Sequence, residues 1–177
     1  MPNLLTVPIE PRAHTDGLES APVTLVEYGD FECPQCAAAY PIVERLRDTF
    51  GQRLRFVFRH FPLTSSHPHA QRAAEAAEWA ASQGAFWPMY HALYAARADL
   101  NDRKILTTAA GLGVSPVEIE KAWAAHTFIP RVKEDFTSGI KSGVTGTPSF
   151  FINGARHEGS WDEVVLGHAL QSAASAR

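Results

Sequence analysis

The stretch VTLVEYGDFECPQC, from Val23 to Cys36, decides the fold of this 177-residue chain. Its first six residues are a β-branched run typical of a buried strand, and a Gly-Asp pair then interrupts that run. Helix-forming residues follow from Pro34 to Phe50, with Pro34 near the first helical position, where its missing N–H does no harm. The sequence therefore places Cys33 and Cys36 where a strand meets a helix.

The segments that follow complete a β-α-β opening. Residues 53–60 alternate apolar and basic side chains and predict a second strand, which a right-handed crossover makes parallel to the first. From residue 61 to 147 the pattern is almost wholly helical. We expect five helices in this stretch, at 69–83, 85–97, 102–111, 115–126 and 130–142, with Asp102 and Ser115 as N-caps.

The C-terminal segment predicts a hairpin and a last helix. Residues 149–152 form a strand, and Asn153-Gly154 is a favoured two-residue turn because both turn positions need positive φ. The second hairpin strand is expected to end at Gly159. Residues 160–163 (Ser-Trp-Asp-Glu) have the spacing of a capping box and begin the last helix. We expect one face of this helix to carry Val165, Ala169 and Ala173.

This order of elements predicts an α/β protein with the thioredoxin fold, in which a helical insertion separates the βαβ half from the ββα half. We expect an irregular leader at residues 1–20, which can add an edge strand to the sheet. A single domain follows at 21–177, with the insertion at about 61–147.

Composition excludes several classes of protein. Gly and Pro contribute 12 residues each and 45% of the chain is hydrophobic, which is ordinary for a globular protein. The net charge is −3, and the sequence has no long run of charges of one sign, so we expect no nucleic-acid partner. No stretch approaches the roughly 20 apolar residues of a membrane span. The first ten residues carry no Lys or Arg ahead of their apolar residues, which predicts a cytoplasmic protein without a signal peptide, and export stays open for a trimmed chain.

The two cysteines are the residues most able to carry chemistry. A helix N-terminus favours negative charge, so Cys33 should ionise readily and act as a nucleophile. Cys36 lies one turn further, close enough to attack a mixed disulfide and release the substrate. The alternative is half of a zinc site, but zinc needs two more ligands, and His67 and His69 are poorly spaced for that role. We therefore expect no metal.

A Thr-Pro pair precedes the third predicted strand. Proline is tolerated at a strand start, so Thr147-Pro148 is open to an ordinary interpretation as a strand boundary. The other interpretation is a cis bond, which would present the Thr147 backbone to an extended peptide. The predicted fold favours the second.

Taken in order, the segments VEYGDFECPQC, FRHFPL, HPHAQRAAEAAE, FWPMY and GVTGTPSFFING resemble the DsbA family of thioredoxin-fold thiol-disulfide oxidoreductases. The resemblance covers roughly residues 20–172. It implies that Cys33 is the exposed nucleophile, that Cys36 is the resolving cysteine and that Pro148 is the cis-proline facing them. It also implies that Pro34, Gln35 and Thr147 contact the substrate.

The sequence departs from the strongly oxidising periplasmic member at Gln35, where that member has His. A neutral side chain there gives no support to a thiolate, and the acidic Glu32 beside Cys33 opposes it. We therefore expect a reduction potential below the DsbA value of about −120 mV, toward the thioredoxin value of about −270 mV. Glu32 has two further interpretations, as a solvated loop charge or as the acceptor of the Cys36 proton.

The sequence thus predicts an enzyme that exchanges disulfides with protein or small thiol substrates, needs no cofactor and depends on an unidentified redox partner for recycling. One alternative is a thioredoxin-fold module that binds peptides and has a redox-sensitive cysteine pair. A glutathione-dependent transferase or isomerase is disfavoured because its chemistry needs no second cysteine. We expect His60 and Arg59 to be surface or capping groups.

Overall fold

A computed structural model describes residues 4–176; residues 1–3 of the predicted leader and residue 177 of the predicted domain lie outside it. Five strands form one sheet: β1 (His14–Asp16), β2 (Val23–Gly29), β3 (Leu54–His60), β4 (Ser149–Ile152) and β5 (Ala155–Arg156). Their order across the sheet is β1-β3-β2-β4-β5. β2 and β3 are parallel, whereas β1 and the hairpin of β4 and β5 pair antiparallel. The predicted crossover and hairpin are confirmed.

Helices surround this sheet, and most of them lie between β3 and β4. In the described part of the chain they are α1 (Pro34–Phe50), α2 (Ala70–Ser82), α3 (Phe86–Ala96), α4 (Asp102–Gly111), α5 (Pro116–Ala124), α6 (Ile129–Lys141) and α7 (Glu163–Ser175). The predicted thioredoxin fold with a helical insertion is confirmed, because α2 to α6 follow the βαβ half and precede the ββα half. The division into a leader of residues 1–20 and a single domain stays a prediction.

Two helices begin with a different cap from the predicted one. The N-cap of α4 is Asn101, whose side chain accepts a hydrogen bond from the Lys104 N–H at 2.9 Å, and Asp102 lies in the first turn instead. The N-cap of α7 is Asp162, whose carboxylate accepts from the backbone N–H groups two and three residues later. Ser160 accepts from the Asp162 N–H, so no capping box forms there.

The end of the chain differs from prediction in two further ways. β5 ends at Arg156 rather than Gly159. The partner strand β4 has the predicted bounds: it begins directly after Pro148, because proline has no N–H to donate to a neighbouring strand. α7 buries Leu166 and Leu170, one position away from the predicted face, and leaves Val165 exposed.

Both faces of the sheet are covered. One face packs against α1, α3 and α7, and the other against α6 and an N-terminal segment that includes Leu5, Ile9 and Ala13. Arg59 and His60 are therefore buried, which makes their expected surface position wrong. The Arg59 guanidinium donates to the Tyr28 hydroxyl and to two carbonyls of the N-terminal segment. Within residues 4–176, no helix is long and apolar enough to cross a membrane.

Candidate active site

The first turn of α1 positions the two cysteines. Cys33 is the N-cap of the helix, with extended backbone angles, and its N–H donates to the Asp30 carbonyl at 3.2 Å. Cys36 lies within the first helical turn, where its side chain faces the core. Both are free thiols and both are buried, with Cys33 4% exposed and Cys36 0% exposed; the expected exposed position of Cys33 is therefore wrong, although Cys33 is the more accessible of the two. Pro34 and Gln35 stand between them at the surface, so a substrate that reaches Cys33 meets these two residues.

The two thiols have opposite acidities. A hydrogen bond from Cys36 is the main cause that lowers the pKa of Cys33 to about 5, and backbone N–H groups of Gln35 and Cys36 add to it, while burial opposes them. Burial raises the pKa of Cys36 well above its ordinary value, and its hydrogen bond to Cys33 and the charge of Glu27 act in the same direction. Cys33 is therefore a thiolate at neutral pH, and Cys36 is a thiol.

We expect iodoacetamide at about pH 6 to modify Cys33 of the reduced protein and to leave Cys36 unmodified. The reason is that only the thiolate reacts, and Cys33 remains ionised at this pH. Peptide mapping by mass spectrometry gives the result, and the Cys33→Ser variant serves as the control that should take up almost no label. Preferential labelling of Cys36 would reverse the assignment of nucleophile.

The loop before β4 brings Thr147 and Pro148 to the cysteines. The Thr147-Pro148 bond is cis, as predicted. The Cys33 thiol lies 3.5 Å from the Thr147 carbonyl oxygen and donates to it when protonated. The structure therefore brings together Cys33, Cys36, Thr147 and Pro148, with Pro34 and Gln35 on the outer side.

Sequence reasoning missed a buried carboxylate beneath the pair. Glu27 is 1% exposed, and neither of its side-chain oxygens has a hydrogen-bond partner in the described residues. Burial is the main cause that raises the pKa of Glu27 to about 8, and the charge of Glu44 adds to it. The alternation of the strand predicts this placement, because Glu27 shares a face of β2 with the buried Val23 and Leu25.

Glu32 is not the free, solvated charge considered for it, and its role as acceptor of the Cys36 proton stays a prediction. Its carboxylate accepts the His69 N–H at 2.7 Å and so ties the cysteine loop to the start of α2. The buried Asp30 ties the same two segments, because it accepts from the Glu32 and Leu63 N–H groups and bonds to His67 Nδ1 at 2.8 Å. These two carboxylates hold the loop that presents Cys33.

The histidines considered as zinc ligands are engaged elsewhere. His67 bonds to Asp30 and His69 Nδ1 bonds to Asp102 at 3.3 Å. Within the described residues, the ligand-type side chains that converge are those of His14, His60 and Glu78, and this group contains no cysteine. Both imidazoles there share one Glu78 oxygen by hydrogen bonds of 2.6 and 2.9 Å. The cysteines thus stand apart from any cluster of metal ligands in this part of the chain.

Solved structures share this architecture. BdbD from Bacillus subtilis superposes with a TM-score of 0.84 at 20% identity, over 93% of this chain and 94% of that one. A thioredoxin-like oxidoreductase from Silicibacter pomeroyi DSS-3 gives a TM-score of 0.81 at 26% identity, over 99% and 98% of the two chains. The alpha-DsbA1 protein of Wolbachia pipientis gives 0.82 at 18% identity, over 99% and 97%. The fold of the DsbA-type oxidoreductases is therefore shown.

Sequence comparison supplies the family. The Na(+)/H(+) antiporter NhaA 1 of Salinispora arenicola is 45% identical over 170 residues, which are 96% of this chain but 26% of the antiporter. The chain spans about a quarter of the length of the curated relatives that it matches. A family model described as thioredoxin matches residues 10–171. Since that match covers most of the sequence, the chain belongs to the thioredoxin family.

Proposed function

We propose that this protein is a thiol-disulfide oxidoreductase that acts on protein or peptide substrates through Cys33 and Cys36. One observation carries the proposal: an acidic thiol at the N-cap of α1 has a second thiol within one helical turn and the Thr147 carbonyl at 3.5 Å. This is the geometry that a reversible two-step exchange requires, because one sulfur must be reactive and the other must wait protonated.

In the reducing direction, the Cys33 thiolate attacks one sulfur of a substrate disulfide. A bond forms between Cys33 and that sulfur, and the other substrate sulfur leaves as a thiolate. Cys36 then loses its proton and attacks the Cys33 sulfur, so that the second substrate sulfur leaves. The protein ends with a Cys33–Cys36 disulfide, and the substrate has gained two electrons. The same steps in reverse oxidise a dithiol substrate.

Glu27 is placed to accept the proton of Cys36 in the second step. Its pKa of about 8 and the raised pKa of Cys36 both belong to groups inside the same core, where the charge of Glu27 disfavours ionisation of Cys36. With a pKa of about 8, Glu27 is mostly protonated at pH 7, so its ionised fraction acts as the base, and the transfer then moves one negative charge rather than creating a second one. In this proposal Glu27 takes the role considered for Glu32.

Substrate recognition is assigned to the groups around Cys33. The Thr147 backbone faces the nucleophile and can pair with an extended peptide in the manner of an added strand. Pro34 and Gln35 are exposed in the turn between the two cysteines. A peptide with a disulfide at Cys33 would thus lie between these residues and Pro148.

Turnover with a protein disulfide tests the proposal. The native protein should catalyse reduction of insulin by dithiothreitol, and Cys33→Ser should lose that catalysis while keeping its melting temperature. The peptide-binding alternative expects otherwise: both forms would bind an extended peptide equally, and neither would accelerate reduction. That second pattern would refute the proposal.

The antiporter relatives favour a second candidate role, as a redox module that acts beside an ion-transporting membrane protein. The supporting observation is that nearly the whole chain is 45% identical to a segment that makes up about a quarter of an antiporter. Sodium-driven proton exchange in membrane vesicles carrying such an antiporter should then change when the oxidised protein replaces the reduced one. Equal exchange rates with both forms, and without the protein, would reject this role.

We also propose a cytoplasmic location for the protein, where thiol pools keep cysteines reduced.

A further inference from the structure

Buried hydroxyl groups lie in the same core as the buried carboxylate. The hydroxyls of Tyr90 and Tyr94 on α3, like both oxygens of Glu27, are buried without a hydrogen-bond partner in the described residues. Tyr90 is 0% exposed and Tyr94 is 6% exposed. A buried polar group without a partner costs roughly 1–3 kcal/mol, so donors and acceptors stranded together usually satisfy one another directly or through bound water.

The tyrosines lie over the strands that flank Glu27. In the sheet, Glu27 is paired with Phe58 of β3, and the Tyr90 ring packs on Phe58 at 5.1 Å between centroids. The Tyr94 ring is 5.1 Å from that of Tyr90. Charge on Cys36 and Glu27 adds to burial in raising the pKa of Tyr94, and charge on Glu27 does so for Tyr90. Tyr94 is therefore close enough to feel the charge of both proton-carrying groups of the resolving step, and Tyr90 that of Glu27.

A third tyrosine continues this line to the surface. The Tyr40 ring of α1 stacks on Tyr94 at 5.0 Å, and its hydroxyl shares a hydrogen bond of 2.8 Å with His91 Nδ1. The His91 side chain is 39% exposed. Ring contacts through Tyr90, Tyr94 and Tyr40 thus run from the strand beside Glu27 to a partly exposed imidazole.

We propose that Tyr94, Tyr90 and Tyr40, with bound water, carry the proton that Glu27 receives from Cys36 outward to His91. The inference rests on the proposed exchange function. When Cys36 attacks the mixed disulfide, its proton passes to Glu27 and a thiolate leaves the substrate. The Glu27 proton then moves along the hydroxyl groups and leaves through His91 to solvent base, which regenerates the ionised fraction of Glu27 that accepts the next proton. The tyrosines and His91 are positioning residues, since they act through Glu27.

Other charges also face Glu27 and set the pH range of this step. From α1 these are Cys33 and Glu44, which raise the pKa of Glu27, and Arg47, which lowers it. From α3 they are the two tyrosines, and the strands beside Glu27 contribute the apolar Phe58 and Phe150. The tyrosine substitutions change none of these charged groups, whereas His91 lies 3.8 Å from the Glu44 carboxylate, so its substitution is judged by rescue with added imidazole.

The first test measures the resolving step itself. Reduced protein is mixed with saturating oxidised glutathione, so that Cys33 carries glutathione and Cys36 must displace it. Stopped-flow measurement of this step from pH 5 to 9 should show a decrease of about tenfold or more at pH 7 in Tyr90→Phe/Tyr94→Phe, with an altered pH profile. Tyr28→Phe is the matched control, because it removes a buried hydroxyl on the other face of the sheet, and its profile should equal the native one.

The second test does not depend on a change in the core. His91→Gln should slow the resolving step several-fold, and added imidazole should restore the rate, whereas a structural role would not respond to the buffer. Native pH profiles in the double tyrosine variant, or a slowed His91→Gln that imidazole fails to restore, would overturn the proton route. A native protein that forms no Cys33–Cys36 disulfide would instead refute the proposed function.

Discussion

The Cys36→Ser variant is expected to accumulate as a mixed disulfide between Cys33 and its substrate, with release of the substrate slowed by at least about a thousandfold. The magnitude follows from proximity: a group held in place for attack acts with an effective concentration of roughly 10⁵ M or more, and an external thiol at millimolar concentration cannot replace it. The first attack should survive, because a serine hydroxyl can donate to the Cys33 thiolate in place of the Cys36 thiol, and the backbone N–H groups of positions 35 and 36 remain.

Mass spectrometry of the variant after incubation with oxidised substrate measures the adduct, and dithiothreitol should remove it. Cys33→Ser is the control, since Cys36 is buried and protonated and should form no adduct. Release at the native rate from Cys36→Ser, or an adduct on Cys33→Ser of equal yield, would contradict the two-step exchange.

The elements that local patterns determine were the predictable ones. α1 spans Pro34–Phe50 as expected, because a Pro at its first position and a glycine after its last residue mark both ends. The Asn153-Gly154 turn has positive φ at both positions, again as the local sequence requires. The cysteine pair follows the end of one strand, and the cis Thr147-Pro148 bond precedes the start of another. Both could be predicted because the sequence marks those strand ends.

What the sequence did not reveal depends on packing between distant segments. Arg59 and His60 end a strand and point to opposite faces of the sheet. The N-terminal segment covers Arg59 and accepts its hydrogen bonds, and helices of the insertion cover His60, which bonds to Glu78. Glu32 looked free because its partner, the His69 N–H, lies 37 residues away. Choosing between Asn101 and Asp102 as a cap needs backbone angles, since both side chains can accept the same N–H groups.

The reduction potential is expected to lie between about −270 mV, the thioredoxin value, and about −120 mV, the DsbA value. The Cys33 pKa of about 5 falls between the values of roughly 7 and 3.5 that accompany those two potentials. The expected reduction potential is therefore higher than the sequence alone suggested. The reason is that Glu32 is bonded to the His69 N–H and is not among the charges that shift the Cys33 pKa. Stabilising the thiolate stabilises the reduced form and makes the pair a stronger oxidant.

The reduction potential should also depend on pH, in a direction that the Cys33 pKa determines. The folded pKa of Cys33 is depressed, so the thiolate stabilises the reduced form fully above the unfolded pKa of 9.0 and loses that effect as pH falls to about 5. The oxidised form has no thiol and no such dependence. Between pH 5 and 9 reduction takes up one proton, and the potential should fall by about 30 mV per pH unit; below pH 5 it takes up two, and the slope should double.

Gln35→His should raise the potential by some tens of millivolts and lower the Cys33 pKa, because a cationic imidazole between the cysteines favours the thiolate; about 30 mV corresponds to 1.4 kcal/mol for this couple. Gln35→Asn is the matched control, since it keeps a neutral amide at the exposed position and should leave the potential nearly unchanged. Titration against glutathione buffers at several pH values measures all three forms. A native potential equal to that of DsbA, a slope near 60 mV per unit at pH 7, or no upward shift in Gln35→His would each show that the acidity of Cys33 does not set the redox balance of the pair.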